Sequence, residues 1–513
     1  MKNVKIICSA IIGSFLSCSP TTESLNDLQG TNSENSSSPM AKTVFVQQGV
    51  WTTTENGSKK LNYSNEIVFS NQGSNRPTIE VDSRSSNRGQ NIDGFGYTLT
   101  GGSAELLYKM GASQRTALLN EIFGNSNGTS IKSDVLRIAM GAEDLSRTVY
   151  TYNDIPAGQQ DFALSKFNFG KDLEYKIPII KEILKINPNI KIFATPWTAP
   201  LWMKTQYQSV GGQLNGYSNS SGNQIYFEVY AKYFVKYIQK MKEQGITIYA
   251  VTPQNEPLHD GNNPSMKMES WEQANFIKYH LGPQFDSAGI TTKIIGYDHN
   301  ADNAGLAYAS NLLNDSQVTQ YLDGTAWHLY GGQGSSIGHL STIYNMNPKL
   351  GIYFTEQWLQ NSGSWNGGDF LWHMENITIG ALNNWSKTVM EWNLASDPST
   401  SIHTNGGCTN CLGALTINNN AITRNVTYYS IAHASRFLGE NARRLFPKNT
   451  GVGGISYAAF VNEQPPYDRV MLLVNSNNSK VDLNLKYINF DGNVKYSQIS
   501  IEPRSAQTYV WKQ

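Results

Sequence analysis

Eight short apolar runs alternate with longer helical patterns between residues 88 and 428, and this alternation constrains the fold more than any other feature. The clearest helical pattern runs from Tyr226 to Gln244, where apolar side chains recur every three or four residues. Eight successive strand–helix units predict an α/β fold, a (β/α)8 TIM barrel with its active site at the carboxyl ends of the strands. The predicted strands are Asn91–Gly96, Val135–Ala139, Ile190–Ala194, Tyr249–Thr252, Lys293–Gly296, Gly324–Trp327, Gly351–Phe354 and Thr388–Trp392.

A doubly wound sheet is the structural alternative to the barrel. Its signature would be a glycine-rich nucleotide loop after the first strand. The segment Gly94-Phe95-Gly96-Tyr97-Thr98-Leu99 lacks the third glycine of that loop and the acidic residue that binds a ribose. The sequence therefore argues against dinucleotide binding.

The segments on either side of the barrel have strand patterns without helical spacing. Alternating apolar residues, broken by Asn, Ser and Gly turns, predict a β-sandwich at residues 429–513, completed by N-terminal strands at 42–87. The strand-like runs are Thr43–Val46, Thr78–Val81, Val470–Val474, Val481–Leu485 and Gln507–Trp511.

The first residues have the features of an export signal. Lys2 and Lys5 precede the apolar run Ile6–Leu16, which is too short to span a bilayer. The last residues of segment 1–18 resemble a bacterial lipobox, in which Cys18 would be lipidated. Plain secretion is the alternative. We expect an exported protein, lipid-anchored to the outer membrane or cell surface, or otherwise secreted or periplasmic. Polar residues 19–41 predict a flexible tether.

The composition and the cysteines argue against several classes of function. Lysine plus arginine balance aspartate plus glutamate at 40 each, so no overall charge favours nucleic acid. Cys408 and Cys411 form a close pair, which in an oxidising compartment predicts a disulfide. No second cysteine or histidine pair is spaced to complete a zinc site, and no βαβ context supports a redox motif. We expect neither a metal nor a cofactor.

Two predicted barrel strands end in a carboxylate. Glu256 follows the fourth strand and Glu356 ends the seventh, and a buried glutamate is costly unless it is paired or used. Because the carboxyl ends of barrel strands share one rim, two such residues suggest the acid and the nucleophile of a glycosidase. Other polar or aromatic groups follow five more strands: Glu143-Asp144, Pro196-Trp197, Asp298-His299-Asn300, His328-Leu329-Tyr330 and Trp392-Asn393.

These segments resemble glycoside hydrolase family 30, which includes glucosylceramidases and microbial endo-β-1,6-glucanases. The resemblance covers nearly everything after the tether, in order, and implies a sandwich fused to the barrel. The matching segments are Gly94–Gly96, Arg137–Ser146 with Tyr150–Tyr152, Thr195–Lys204, Val251–Pro257, Ala326–Tyr330, Thr355-Glu356 and Trp392–Ala395.

The resemblance implies a retaining mechanism in which Glu256 is the general acid/base and Glu356 the nucleophile. Retention requires carboxyl groups about 5–5.5 Å apart. Glu256 must start protonated, so we expect its neighbour's charge and partial burial to raise its pKa. Asn255 would bind the sugar 2-hydroxyl.

The resemblance also implies roles for the remaining site residues. Asp144, Trp197 and Trp392 match the residues around the terminal glucose. His328 and Tyr330 match the pair beside the nucleophile, and Arg137 matches an arginine that orients it; Asp298 is expected to bind substrate. Three of these have purely structural alternatives: an ion-pair partner for Arg137, a core histidine for His328 and packing for Trp197.

The substrate follows less directly from the sequence. The segment after Glu256, the run at Asp298 and the Cys408–Cys411 loop resemble the β-1,6-glucanase branch more closely than the animal glucosylceramidases. We therefore expect β-1,6-glucan as the substrate, with glucosylceramide as the alternative. A glycan-binding surface lipoprotein without catalysis is a further alternative, against which both carboxylates argue.

Overall fold

The computed structural model describes residues 48–512, apart from 66, 126–127, 217–223, 333, 362–364, 366–368, 450 and 466. The export signal, Cys18, the tether and the strand predicted at Thr43–Val46 lie outside these residues. Within the described ranges, none of the helices combines the length and apolar character needed to cross a bilayer.

Eight parallel strands close into a barrel in chain order, which confirms the predicted fold. Each predicted strand corresponds to an observed one, although the ends differ by up to several residues. The fifth strand exceeds its predicted length by the most residues, because it continues through Asp298 to Asn300. The barrel strands are Gly94–Thr98, Val135–Ala139, Lys191–Thr195, Ala250–Val251, Lys293–Asn300, Leu322–His328, Gly351–Glu356 and Ser386–Asn393.

The barrel interior is a packed core. Seven strands contribute one inward side chain each to a single buried cluster, in which the small Ala250 and Ala326 leave room for Phe193 and Tyr353. The two rings lie 5.6 Å apart between centroids. This layer closes the barrel below the strand ends, so the site above it has a solid base.

Helices surround the barrel. The predicted helix over Tyr226–Gln244 is observed as Ile225–Glu243, with its apolar face buried. Two helical stretches contain π-helical turns, at Ile277–Leu281 and His373–Ile379. The α-helices are Gly101–Lys109, Ala112–Phe123, Lys176–Ile186, Ile225–Glu243, Ser270–Phe276, Gly282–Ala288, Asn303–Leu313, Ser316–Thr319, His339–Met346, Asp369–Trp372, Gly380–Asn383 and Val426–Ser435.

Two further sheets form the β-sandwich and enclose a second apolar core. In the larger sheet, Gly49–Thr54 pairs antiparallel with Ser505–Trp511, so strands from both ends of the described chain share one sheet. The larger sheet has the order Asn62–Ser64, Gly49–Thr54, Ser505–Trp511, Arg469–Asn475, Ile455–Val461, Arg443–Leu445, Arg88–Asn91, and the smaller one Lys448–Asn449, Thr78–Asp82, Val481–Ile488, Val494–Ile501.

The helix Val426–Ser435 joins the barrel to the sandwich. Tyr97 in the first barrel strand donates its hydroxyl to the Thr427 carbonyl (3.3 Å). His433, fully buried, lies 2.7 Å from the Thr508 hydroxyl and 2.9 Å from the Thr53 hydroxyl, both in the larger sandwich sheet. The predicted domain boundary after residue 428 falls inside this helix, and Arg88–Asn91 lies in the sandwich sheet rather than the barrel.

Short strand pairs cover the carboxyl end of the barrel. Leu359–Gln360 pairs with Cys411–Leu412, and Ala395–Ser396, Leu415–Asn418 and Ala421–Arg424 form a three-stranded sheet. A disulfide links Cys408 to Cys411. These segments bring the loop between residues 404 and 411 over the strand ends.

Candidate active site

Beneath the two glutamates lies a buried polar layer that we call the floor: Arg137, Asn255, Asp298 and His328. Arg137 donates to Glu356, to Asn255 Oδ1 (2.7 Å) and to Asp298 Oδ2 (3.1 Å). The guanidinium therefore lies between two carboxylates, which offset the cost of burying its charge. Arg137 thus contacts the predicted nucleophile Glu356 and also forms a buried ion pair with Asp298.

Asp298 anchors the floor from below. Its carboxylate accepts hydrogen bonds from three strand-end hydroxyls and from His328 Nε2 (3.1 Å). Burial alone would raise the pKa of Asp298, but the Arg137 charge and the hydrogen bond from His328 hold it well below its usual range. The hydroxyl donors are Thr195 (3.1 Å), Thr252 (2.7 Å) and Thr355 (2.7 Å).

The sequence predicted that Asp298 binds substrate, and the structure places its side chain below the cavity. It is fully buried and does not line the cavity, and its contacts are with Arg137, His328 and the strand-end hydroxyls. Tyr297 and Asp298 both have positive φ values, 72° and 85°. The pairing with the sixth strand shifts register at this point, and the resulting bulge turns the Asp298 side chain into the barrel.

Glu256 follows the fourth barrel strand in a left-handed backbone conformation, with φ of 43°. A non-glycine residue in that region is strained, and here the Glu256 N–H donates to the Asp298 carbonyl at 2.9 Å, which holds the turn. Its Oε1 lies 3.3 Å from His328 Nδ1 and 3.7 Å from His299 Nε2. The turn thus aims the carboxyl group at two imidazole rings.

Glu356 ends the seventh strand and faces Glu256 across the barrel mouth. It accepts a hydrogen bond from the Tyr330 hydroxyl (2.9 Å) as well as from Arg137. One carboxylate oxygen of Glu256 and one of Glu356 lie within 4.8 Å of each other. That proximity matches the spacing of retaining glycosidases and is shorter than the separation of about 6.5–9.5 Å in inverting ones.

His328 links the two carboxyl groups to the floor. Burial opposes a charge on its ring, but the charge of Glu356 and the hydrogen bonds with Asp298 and Glu256 raise its pKa to about 9. A cationic His328 donates from Nε2 to Asp298 and from Nδ1 to Glu256. His328 is fully buried, and its ring contacts the predicted acid Glu256 on one side and Asp298 on the other.

The ionisation of Glu256 differs from the prediction. Burial would raise its pKa, yet the hydrogen bond from His328 and the charge on that imidazole lower it to about 2. The pKa of Glu356 is instead raised, chiefly by burial and also by the charges of Glu256 and Asp298. The direction predicted for the pKa of Glu256 is therefore wrong, because the contact with His328 outweighs burial.

Asp144 occupies the opposite wall of the site. Burial, with the charges of Glu356 and Glu143, raises its pKa to about 8, so its carboxyl group is mostly protonated at neutral pH. The Cys408 N–H donates to Asp144 Oδ2 at 3.3 Å, and the Thr404 N–H donates to the Asp144 carbonyl at 2.8 Å. The disulfide loop therefore holds Asp144 in place.

Trp197 and Trp392 form an aromatic corner beside the glutamates. Their ring centroids lie 5.3 Å apart at an interplanar angle of 31°. The Arg137 guanidinium lies 5.0 Å from the Trp197 centroid and 5.8 Å from that of Trp392. Both rings border the cavity, although Trp197 is almost completely buried.

These groups surround a cavity of about 610 Å³ at the carboxyl end of the barrel. Eight of the predicted site residues border it, whereas the four floor residues lie beneath. The bordering residues are Asp144, Trp197, Glu256, Tyr330, Glu356, Trp392, Cys408 and Cys411.

Several cavity residues were not among the predicted site residues. His299 and Asn300 follow Asp298 in the fifth strand, and burial lowers the pKa of His299 to about 4, so its ring is neutral. Their position at a strand end was a usable signal. Leu329 stands in the run that follows the sixth strand and carried the same signal. The others lie beyond the barrel strand ends: His259, Asn262, Gln357, Trp358, Gln360 and Trp372. We call Trp358, Gln360, Trp372, Cys408 and Cys411 the rim.

The site also contains three potential metal-ligand atoms, from Glu256, His328 and Glu356, within 4.8 Å of one another. Arg137 and the cationic His328 already bring two positive charges against these carboxylates. A metal ion would be repelled by both, so the arrangement suits proton transfer and nucleophilic attack better than metal binding.

Comparison with known proteins agrees with this geometry. The profile of the glycosyl hydrolase family 30 TIM-barrel domain matches residues 92–438. An endo-1,6-β-D-glucanase of Aspergillus fumigatus is 35% identical over 426 residues, 79% of this chain and 84% of the relative. A putative glucosylceramidase of Caenorhabditis elegans is 28% identical over 85% of this chain and 83% of its own.

Among solved structures, the endo-β1,6-glucanase BT3312 superposes with a TM-score of 0.80. It is 33% identical in sequence, and the match covers 91% of this chain and 99% of that one. The barrel, the paired carboxylates and these similarities lead to one conclusion: the chain belongs to glycoside hydrolase family 30.

Proposed function

We propose that the protein is an endo-acting β-1,6-glucanase that retains the anomeric configuration. The observation that carries this proposal is the pair Glu256 and Glu356, whose oxygens approach within 4.8 Å at a cavity lined with tryptophans. Two carboxyl groups at that spacing fit a double displacement, and aromatic rings stack on the apolar faces of sugars.

In the first step, Glu356 attacks the anomeric carbon and forms a glycosyl-enzyme ester while the glycosidic C–O bond breaks. Arg137 and Tyr330 hold the Glu356 carboxylate for attack through their hydrogen bonds. Glu256 gives a proton to the departing oxygen. The hydrogen bond from Arg137 to Asn255 Oδ1 leaves the amide N–H groups of Asn255 to bind the sugar 2-hydroxyl.

His328 supplies the proton that Glu256 needs. The pair has two forms with the same number of protons. In one, Glu256 is ionised and His328 is cationic; in the other, Glu256 is protonated and His328 is neutral. The 3.3 Å contact between Nδ1 and Oε1 converts one into the other. Substrate excludes water, and a less polar site favours the neutral pair, in which Glu256 is the acid.

In the second step, water replaces the departed alcohol. Glu256, now ionised, takes a proton from this water, and the resulting hydroxide attacks the anomeric carbon. The ester bond to Glu356 breaks and its carboxylate is restored. Two inversions leave the product in the β configuration.

The choice of β-1,6-glucan rests on similarity to relatives. Both the Aspergillus fumigatus relative and BT3312 are described as endo-β-1,6-glucanases, at 35% and 33% identity, against 28% for the putative glucosylceramidase. The rim contributes Gln360 and Trp372 to the cavity wall, beside the disulfide loop. Glucosylceramide remains the alternative substrate.

A direct assay tests the proposal. Purified protein is incubated with pustulan, with β-1,3- and β-1,4-glucans, and with glucosylceramide in detergent. We expect gentio-oligosaccharides of mixed length from pustulan, and a β-anomer as the first product by ¹H NMR. Glucose released from glucosylceramide alone would assign the alternative substrate. Binding to pustulan without hydrolysis of any substrate would favour a glycan-binding protein.

We further propose that the protein is exported and anchored through a lipid on Cys18. The support is the signal-like sequence of residues 1–18 and the polar stretch that follows. Expression of the full chain and of Cys18→Ser in a Gram-negative host with labelled palmitate tests this. Label and membrane association should be lost in the variant; an unlabelled, secreted wild type would show plain secretion instead.

A further inference from the structure

A second cavity lies at the opposite end of the barrel, where the seventh and eighth strands begin. Its volume is about 380 Å³, and Gly351 and Lys387 border it from these two strands. The sandwich strand Arg88–Asn91 and Arg443 close its other side. It therefore lies between barrel and sandwich, far along the strands from the catalytic glutamates.

The walls of this cavity are strongly basic. Arg88, Lys349, Lys387 and Arg443 border it, and no aspartate or glutamate is among its described lining residues. Two of the cations have acidic partners: Lys387 with Asp93 (2.9 Å) and Arg88 with Glu463.

The other two cations, Lys349 and Arg443, form no ion pair within the portion of the chain that the structure describes. The Arg443 side chain is partly buried, and its Nε is buried without a hydrogen-bond partner. Concentrated positive charge with low-dielectric walls attracts an anion, and arginine is suited to a carboxylate or phosphate. The unpaired charges therefore indicate that a ligand of this cavity carries an anionic group.

Hydrogen-bond acceptors without partners indicate that the ligand also carries hydrogen-bond donors. Gln90 donates from Nε2 to the carbonyls of Leu382 (2.7 Å) and Ser386 (3.1 Å), which fixes the orientation of its amide. Its Oε1 is then a buried acceptor without a donor, and so is Asn91 Oδ1. Buried acceptors without partners are costly. A ligand with hydroxyl groups would supply donors that a bare sulfate ion lacks.

An aromatic stack completes the cavity. Tyr344 and Trp385 lie nearly parallel, 3.8 Å apart between centroids at 8°, and both border the space. Trp385 is backed by Phe446, with centroids 5.6 Å apart, so the stack is rigidly supported. Aromatic surface beside hydrogen-bonding groups is typical of sugar sites.

We infer that this basic cavity is a binding site for a small acidic sugar, which carries one carboxylate or phosphate and several hydroxyl groups. The anionic group contacts Arg443 and Lys349, the hydroxyl groups lie against the cavity wall formed by Gln90 and Asn91, and the sugar ring lies against Tyr344. A volume of about 380 Å³ accommodates a mono- or disaccharide. This inference does not depend on the linkage that the active site cleaves.

Isothermal titration at constant ionic strength tests the inference with four probes: glucuronate, glucose 6-phosphate, glucose and sulfate. We expect saturable binding of at least one of the two acidic sugars, and much weaker binding of glucose and of sulfate. Glucuronate against glucose 6-phosphate decides whether the anion is a carboxylate or a phosphate. Comparable binding of sulfate would overturn the requirement for hydroxyl groups.

Variants locate the site. Arg443→Gln and Lys349→Gln should each weaken the acidic sugar about tenfold, the effect of one lost charge-assisted hydrogen bond. Lys185→Gln, at an exposed position on the helix Lys176–Ile186, is the matched control and should leave the affinity unchanged. Because Lys349 is exposed, its variant should fold even if Arg443→Gln does not. Equal affinity in wild type and Lys349→Gln would overturn the assignment.

The active site could also bind a sugar, so hydrolysis is measured alongside. Ligand in the basic cavity should not compete with pustulan, or with any other substrate that the enzyme hydrolyses. Competitive inhibition by the acidic sugar, unchanged in both variants, would place the binding in the active site and overturn the inference.

Discussion

The floor and the rim of the active site hold their side chains in different ways. Every floor residue is buried and takes part in a connected set of hydrogen bonds, with Arg137, Asp298 and His328 at its centre. The rim depends on a two-residue strand pair, one disulfide loop and the end of the short helix Asp369–Trp372. A fully connected buried network specifies one geometry, whereas loops tolerate change. We therefore expect the floor residues to determine the rate of the chemical steps and the rim residues to determine which substrate binds.

The largest expected effect comes from the nucleophile that the floor holds. Glu356→Gln should lower kcat at least on the order of 10⁴-fold, because an amide cannot form the glycosyl ester. The measurement is reducing-sugar release from pustulan, with Glu174→Gln on an exposed loop as the control. Activity within tenfold of wild type would remove Glu356 as the nucleophile.

Asp298→Asn tests the floor without changing any cavity wall. We expect kcat to fall by about 10²–10³-fold and the free energy of unfolding to drop by about 3 kcal/mol, since Arg137 and His328 lose a buried counter-charge. Urea unfolding and pustulan hydrolysis provide the two values. The control is Asp491→Asn in an exposed turn, and a loss of stability without loss of kcat would restrict Asp298 to folding.

The pH dependence of activity tests whether His328 and Glu256 share the catalytic proton. Activity should fall on the alkaline side near pH 9, where the pair loses its proton. His328 has a pKa raised from 6.5 to about 9, so its contribution to stability is complete below pH 6.5 and is lost as pH rises through about 9.

His328→Asn provides the variant for that profile. Without the imidazole, Glu256 must retain its own proton, so the alkaline limb should move several pH units lower and kcat at the optimum should fall by about 10²-fold. An alkaline limb that stays near pH 9 would show that the titrating group is not His328.

The smallest expected effect belongs to the rim. Cys408→Ser with Cys411→Ser should raise KM about three- to tenfold, with kcat nearly unchanged, because without the disulfide the loop no longer holds the backbone N–H of residue 408 firmly against Asp144. Kinetics on gentio-oligosaccharides measure the change. A fall in kcat as large as that of Asp298→Asn would erase the proposed distinction between floor and rim.

The sequence predicted the barrel and the placement of both glutamates because parallel strands bring their carboxyl ends together. It could not predict the role of Asp298, since that depends on a bulge that turns the side chain inward. It gave the wrong direction for the pKa of Glu256, because the proton depends on a 3.3 Å contact with His328. Trp358 and Trp372 had no periodic pattern that would place them at the cavity.

The pairing of Gly49–Thr54 with Ser505–Trp511 has a consequence for how the molecule is made. Gln507 and Thr52, partners in that pair, are separated by 455 residues, so the larger sheet cannot close until nearly all of the intervening chain has been synthesised. Until then Val50 and Trp51 belong to an apolar segment without its partner, which is prone to aggregate. Chaperone demand should therefore be highest before the final strand emerges.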